Sequence, residues 1–257
     1  MSGFKIATWN VNSLRVRLPQ VLEWLNKEQP DALALQETKL QDIDFPESVF
    51  TDIGYRVVYS GQRTYNGVAI ITRDSINEKI TDLPGIEDIQ RRVLAVTVNG
   101  VRIINLYIPN GESVTSDKFQ YKLQWLRSLE IFLKQELGAH QKIIVLGDFN
   151  IAPQPIDVHN PTEWEGKVLF SDQERKAFAN MLELGFADCF RALNPVLQAY
   201  SWWDYRVNAF KRNLGMRIDH ILASQSLIAQ CELCHIDKTP RSHERPSDHA
   251  PVTAAFI

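Results

Sequence analysis

A series of short apolar runs rich in β-branched residues, at 4–9, 32–35, 68–71, 93–98, 101–108, 142–146, 217–222 and 252–256, dominates the chain. Each is bounded by polar or turn-forming residues, the pattern of strands buried within a sheet. Asn99-Gly100 between two runs predicts a tight hairpin, because both residues tolerate the left-handed backbone of such a turn. Helical spacing fills the intervals. Leu14, Leu18, Val21, Leu22 and Leu25 share one face. Ser116 and Asp117 offer caps for a longer helix, with Phe119, Leu123, Leu126, Leu129 and Leu133 facing inward. A third helix is expected over 172–184. Strands mixed with helices and hairpins predict an α/β sandwich, not a purely parallel sheet.

The 257 residues are 44% hydrophobic and 23% charged, which excludes disorder, collagen and coiled coil. No apolar run approaches the roughly 18 residues of a membrane span. The start, Met1-Ser2-Gly3-Phe4-Lys5, runs straight into strand-like sequence, so a cytoplasmic protein without membrane attachment is expected. Three cysteines make no disulfide framework. Repeats and linkers are absent from the sequence, so one domain over 1–257 is expected. A net charge of −3 means that any nucleic-acid role needs a local basic surface.

Polar residues collect where the runs end. They are Asn10, Gln36-Glu37, Tyr107 with Pro109-Asn110-Gly111, Gly147-Asp148-Phe149-Asn150, Arg217-Ile218-Asp219-His220 and Ser247-Asp248-His249. Loops carried by rigid strands are where functional side chains concentrate. The set is rich in hard oxygen and free of cysteine, which suits Mg²⁺ or Mn²⁺ better than zinc. A histidine held by an aspartate suits phosphate binding or proton handling. The chemistry implied is metal-assisted attack of water on a phosphoester. Taken singly, each residue has an ordinary reading. Asn10 could cap the helix near Ser13, Asp148 and Asn150 could form an Asx-turn, and Tyr107 could be core.

Taken in order, these segments resemble the exonuclease III and apurinic/apyrimidinic endonuclease family, within the endonuclease/exonuclease/phosphatase superfamily. The similarity runs from Lys5 to Ala254. It is carried by Trp9-Asn10-Val11-Asn12-Ser13-Leu14-Arg15, Leu35-Gln36-Glu37-Thr38-Lys39, Tyr65-Asn66-Gly67-Val68, Gln90-Arg91-Arg92 and Tyr107-Ile108-Pro109-Asn110-Gly111. It continues through Gly147-Asp148-Phe149-Asn150, Ser201-Trp202-Trp203-Asp204-Tyr205-Arg206, Leu214-Gly215-Met216-Arg217-Ile218-Asp219 and Ser247-Asp248-His249.

The resemblance implies a four-layer, DNase I-like α/β sandwich with two central mixed β-sheets flanked by helices. It implies a metal-dependent DNA-repair nuclease: a 3′→5′ exonuclease and 3′-phosphodiesterase, an abasic-site endonuclease, or both. Its partner would be duplex DNA with abasic, damaged or recessed 3′ ends, and the protein would act as a monomer. Glu37 would be the principal metal ligand, with Asn10 and Asp248 nearby. A second metal could use Asp148, Asn150 and His249. Asp148 would be general base or acid, Asn150 would orient water or hold phosphate, Tyr107 would contact phosphate or leaving group, and Asp219 would pair with His249. Trp202, Trp203 and Met216 would form an abasic-sugar pocket. The segment 161–170 is poorly matched among members. If it borders the site, bulky residues such as Leu169 would favour 3′-end trimming over internal incision.

Between Asp204 and Asp219 lie Arg206, Lys211, Arg212 and Arg217 with no acid among them, interleaved with aromatics; cations beside aromatic faces suit phosphates and unstacked bases. Lys238, Arg241, His243 and Arg245 form a second basic stretch. Arg206, Lys211 and Arg212 are taken as DNA contacts. Cys231-Glu232-Leu233-Cys234-His235 matches a haem-attachment pattern, but alternation on a strand would put the two cysteines on opposite faces, and Cys189 stands isolated in sequence. Two rivals remain: a superfamily phosphatase acting on a small-molecule or lipid phosphoester, and a catalytically dead binding module. The basic aromatic segment counts against the first and the complete polar set against the second.

Overall fold

The computed structural model describes residues 3–86 and 88–257. One sheet contains β1 (Phe4–Asn10), β2 (Ala32–Gln36), β3 (Arg56–Ser60) and β4 (Val68–Thr72). The second contains β5 (Asn77–Ile80), β6 (Val93–Val98), β7 (Val101–Tyr107), β8 (Ile143–Asp148), β9 (Phe186–Asp188) and β10 (Asp219–Ser224). The chain then returns to the first sheet with β11 (Cys231–Ile236) and β12 (Val252–Phe256). The orders are β11-β12-β1-β2-β4-β3 and β5-β6-β7-β8-β10-β9. The β1–β2 and β7–β8 pairs are parallel and the others antiparallel.

The period-two alternation of each strand builds the layers. Ile6, Ala34 and Ile70 of the first sheet meet Leu94, Ile103, Ile144 and Ile221 of the second in a shared inner core. The intervening residues Ala7, Leu33 and Ile71 face outward onto α1 (Leu14–Glu28), and Phe50 of α2 (Glu47–Thr51) joins them. On the far side, Ile104, Val145 and Leu222 pack under α3 (Asp117–Ala139) and, beyond the short α4 (Pro161–Trp164), α5 (Asp172–Glu183). The result is the expected four-layer sandwich. Short α6 (Cys189–Leu193) and α7 (Gln225–Ile228) complete the helices.

Ser116 caps α3 by accepting the Phe119 amide, and Ser171 and Glu174 form a capping box on α5. Strand ends differ slightly from the apolar runs. The run at 217–222 becomes a strand only at Asp219, because the Arg217 amide goes to the Asp157 carbonyl and the Ile218 amide to Ser201 Oγ.

Candidate active site

Both parallel pairs end at the same edge of the sandwich, and this brings the polar residues together. Asn10 closes β1, Glu37 follows β2, Tyr107 closes β7 and Asp148 closes β8. Asp219 opens β10 directly opposite Asp148. His249 arrives on the segment before β12. Gly147 is required here: at φ +140, an added Cβ would lie 1.9 Å from the Leu106 carbonyl oxygen. Non-glycine residues with left-handed backbones gather in the surrounding loops, at Asn12, Glu37, Lys39, Asn150 and Leu169. Such strain concentrates where function over-determines the backbone.

A cavity of about 160 Å³ is lined by Glu37, Tyr107, Asn110, Asp148, Asn150, Leu169, Trp202, Ile218, Asp248 and His249. Tyr107 and Asn110 also line a broader cleft of about 670 Å³ with Gln62, Arg92 and Lys118. His249 Nδ1 lies 2.9 and 3.1 Å from the two Asp219 oxygens, and its Nε2 is 3.8 Å from Asp148 Oδ2. Ser201 Oγ accepts the Asp219 amide and Ser247 Oγ the His249 amide, fixing both partners. Asn10 Nδ2 donates to Glu37 Oε1 at 3.0 Å and Asp148 Oδ2 at 2.9 Å. Its Oδ1 accepts the Asn12 amide, so Asn10 bridges two carboxylates and does not cap α1. Asp148 does make the Asx-turn that was its ordinary reading, accepting the Asn150 amide on Oδ1. Its Oδ2 is left for Asn10 and Asn150 Nδ2.

The charges are unbalanced. Burial, with Asp219 and Glu37 nearby, pushes the Asp148 carboxyl up to about 7, against the His249 charge that lowers it. Burial alone would lower His249, but Asp219, Asp148 and Asp248 together raise it to about 10. Burial likewise pushes the Tyr107 phenol well above its usual range, helped by Glu37 and Asp148, so it stays a donor. Asp248 is held below the usual range: burial opposes this, but His249 and hydrogen bonds from Asn12 and Trp202 outweigh it.

A divalent cation fits this chemistry. The donors are oxygens, and the three cysteines lie in the core away from the cavity. Among the described residues, Asp148, Asp219 and His249 bring ligand-type atoms within 4.8 Å of one another. His249 is the nitrogen donor of this trio, its Nδ1 held by Asp219 and its Nε2 facing Asp148.

Several expectations change. Trp203 is fully buried with Tyr200, Ala209 and Ala250, its Nε1 donating to Asn213, and it does not line the cavity. Gly215 packs against it, since a Cβ there would lie 2.5 Å from the indole nitrogen. Met216 is also fully buried, packed with Trp202, Val158 and Leu169, so the apolar wall is Trp202, Leu169 and Ile218. Arg217 faces no solvent: it is buried and held by Asp157 and Asp188 at 2.7 Å each. Arg241 lies under the rings of Trp203, Tyr205 and Phe210 and supports the loop. Arg206, Lys211 and Arg212 are exposed, with Arg206 in a surface pair with Asp204. A bulge between Cys231 and Leu233 lets both Cys231 and Cys234 enter the core that also holds Cys189.

Sequence reasoning passed over Asn12 and Lys39 as site residues. Asn12 Nδ2 donates to Asp248 Oδ1, and the Lys39 ammonium bridges Asn12 Oδ1 and Glu37 Oε2. Their signal was their place, two positions beyond Asn10 and Glu37. Asn110, which donates to Asn150 Oδ1, was visible only as a turn residue.

Comparison with known proteins agrees with this geometry. Residues 7–249 match the model of the Endonuclease/Exonuclease/phosphatase family. Exodeoxyribonuclease III of Haemophilus influenzae is 36% identical, with 98% of this chain and 99% of the relative covered. A Neisseria 3′ phosphatase, NExo, bound to a product DNA hairpin, superposes with a TM-score of 0.98 at 48% identity, covering 99% of each chain. An AP endonuclease from Archaeoglobus fulgidus gives 0.95 at 41% identity, covering 98% of this chain and 99% of that one. The chain belongs to the Endonuclease/Exonuclease/phosphatase family, in its exonuclease III and AP endonuclease branch.

Proposed function

We propose that this protein is a metal-dependent DNA-repair nuclease that hydrolyses phosphodiesters in duplex DNA, with residues 1–257 forming one catalytic domain. The observation that carries the reading is the convergence of His249 and its partner Asp219 with Asp148, Asn150 and Glu37 at one cavity. The activities named for the relatives, and the DNA hairpin held by one of them, support the same substrate class.

Glu37 and Asp248 would hold Mg²⁺ or Mn²⁺, with the Asn10 amide keeping Glu37 and Asp148 in place. When bound, the cation supplies Lewis-acid polarisation of the phosphate. His249 donates from Nε2 to a non-bridging oxygen, and Asp219 keeps its ring oriented and charged. A preorganised donor of this kind is typically worth about 10²–10³ in kcat. Asp148, poised near neutrality, takes a proton from water or returns one to the leaving oxygen. Tyr107 donates from its phenol, and Asn150 orients the water. Arg206, Lys211 and Arg212 bind phosphates from the exposed loop. Leu169 fills the cavity wall beside Trp202, which narrows it and favours 3′-end trimming over internal incision.

The test uses three labelled duplexes: one with an internal abasic site, one with a recessed matched 3′ end and one with a blocked 3′ end. Cleavage should require added Mg²⁺ and cease with EDTA, with kcat/KM higher on the 3′-ended substrates. Metal-independent cleavage, or none of the three cut, would sink the reading.

A further inference from the structure

Lys122 of α3 and Glu174 of α5 are both fully buried and paired at 2.5 Å. Neither lines the cavity, yet each reaches the backbone of residues that do. Lys122 Nζ donates to the Asn150 carbonyl at 2.7 Å and the Asn110 carbonyl at 3.1 Å. Glu174 Oε1 accepts the Leu169 amide at 3.0 Å while Oε2 accepts the Ser171 amide and hydroxyl. The grip is close-fitting: Gly111, at φ +95, sits where an added Cβ would lie 3.2 Å from Lys122 Cδ.

Asn150 and Leu169 are two of the cavity residues held in the left-handed region, at φ +50 and +75. Such backbones persist only when their surroundings hold them. Here one ion pair holds both, one through its carbonyl and the other through its amide. A buried pair is weak evidence for stability, since apolar replacements of similar volume are often neutral. What an apolar pair could not do is hydrogen-bond three cavity loops at once.

We propose that Lys122 and Glu174 are positioning residues: a buried clamp that sets the loops bearing Asn110, Asn150 and Leu169 against the reacting phosphate. The inference rests on the nuclease reading above. Lys122 fixes where Asn150 stands relative to Asp148, and Glu174 fixes how far Leu169 enters the cavity.

The test is the double variant Lys122→Met/Glu174→Leu, with Glu174→Gln as a milder change. Folding is followed by near-UV circular dichroism. The double variant should fold and keep KM within about threefold, while kcat drops about 10- to 100-fold, the scale of a small misplacement at a reacting centre. Glu174→Gln retains one oxygen for Lys122 and should lose less. The Leu169 amide should lose hydrogen-exchange protection in the double variant, a readout independent of activity. If wild type cuts no duplex, the functional reading fails while the exchange result still judges the clamp. A folded double variant with wild-type kcat and unchanged Leu169 protection overturns the inference. Failure of both variants to fold overturns it too, because the pair would then be a requirement for folding.

Discussion

Two buried histidines sit on either side of Asp219, one favoured as the cation and the other as the neutral ring. His249 contacts Asp219 directly and lies near Asp148 and Asp248, and these carboxylates raise it to about 10. His220, next to Asp219 in sequence, points the other way along the strand. Its Nδ1 is 2.9 Å from the Arg217 guanidinium and its Nε2 is 2.8 Å from the Ile151 carbonyl. Burial first, and then the Arg217 charge, lowers it to about 4, against Asp188 and Asp157. Equal burial therefore leaves the protonation state open, and the charge of the nearest neighbours decides it. The second cluster is closed: Arg217 and Arg191 neutralise Asp157 and Asp188. The first carries a surplus of carboxylate, and that surplus makes it a place for a cation and a phosphate.

The largest effect should come from removing the poised carboxylate. Asp148→Asn keeps the shape and the Asx-turn oxygen but loses the proton carrier. We expect kcat to fall about 10³–10⁴-fold. Residual activity within tenfold of wild type would assign proton transfer elsewhere.

The closed cluster should respond in the opposite way. Arg217→Met strands Asp157 and Asp188 in the interior, and breaking a buried pair from one side typically costs about 3–5 kcal/mol. Denaturant melts should show that loss, while any folded fraction should keep near-wild-type KM for duplex DNA. A large KM rise with little loss of stability would restore Arg217 to the DNA surface, where the charge count along the sequence first put it.

That misplacement shows what the sequence carries. The buried strands were legible because continuous apolar runs have no other use at that length. The edges β3, β5 and β9 were not: β5 exposes Asn77, Glu78 and Lys79, β3 has only the short run Val57-Val58-Tyr59 behind an exposed Arg56, and β9 is three residues long. The fourth edge, β11, showed its alternation, but the bulge that turns both cysteines inward leaves no mark in the sequence. Asn10, Glu37, Asp148, Asp219 and His249 were legible because each sits at a strand end beside a turn. Trp203, Met216 and Arg217 were misjudged because they follow Trp202 or precede Asp219 in the same motifs. Which of two adjacent side chains faces the cavity depends on packing across the molecule, here the ring of Trp203 against Gly215 and the carboxylates of Asp157 and Asp188.

A smaller effect tests whether Asp219 and His249 act as one unit. Asp219→Asn and His249→Asn should each lower kcat about 10²–10³-fold. The double variant should lose far less than the product, because the first change already removes the oriented, charged ring. Multiplicative losses would separate the two roles and weaken the contrast with His220, whose substitution should leave kcat within a few-fold.

The smallest effect is on pH dependence, and it reads the contrast directly. In the metal-free protein neither ring should titrate between pH 6 and 8, for opposite reasons. Ring ¹⁵N shifts should report an imidazolium for His249 and a neutral ring, protonated at Nε2, for His220. The signs for stability also differ. His249 is raised from a reference near 6.5 to about 10, so its contribution is complete below about pH 6.5 and drains away as pH climbs toward 10. His220 is lowered to about 4, so its contribution is present above about pH 6.5 and is lost as pH falls toward 4. Replacing His249 by Asn should therefore flatten the alkaline limb of the stability profile, and replacing His220 the acidic limb. Asp219→Asn should pull the His249 value down into the titratable range and leave His220 neutral, since the groups facing His220 are Arg217, Asp188 and Asp157. A neutral His249 ring at pH 7 in the wild type, unmoved by Asp219→Asn, would remove the charge difference between the two clusters, and with it the donor role assigned to His249.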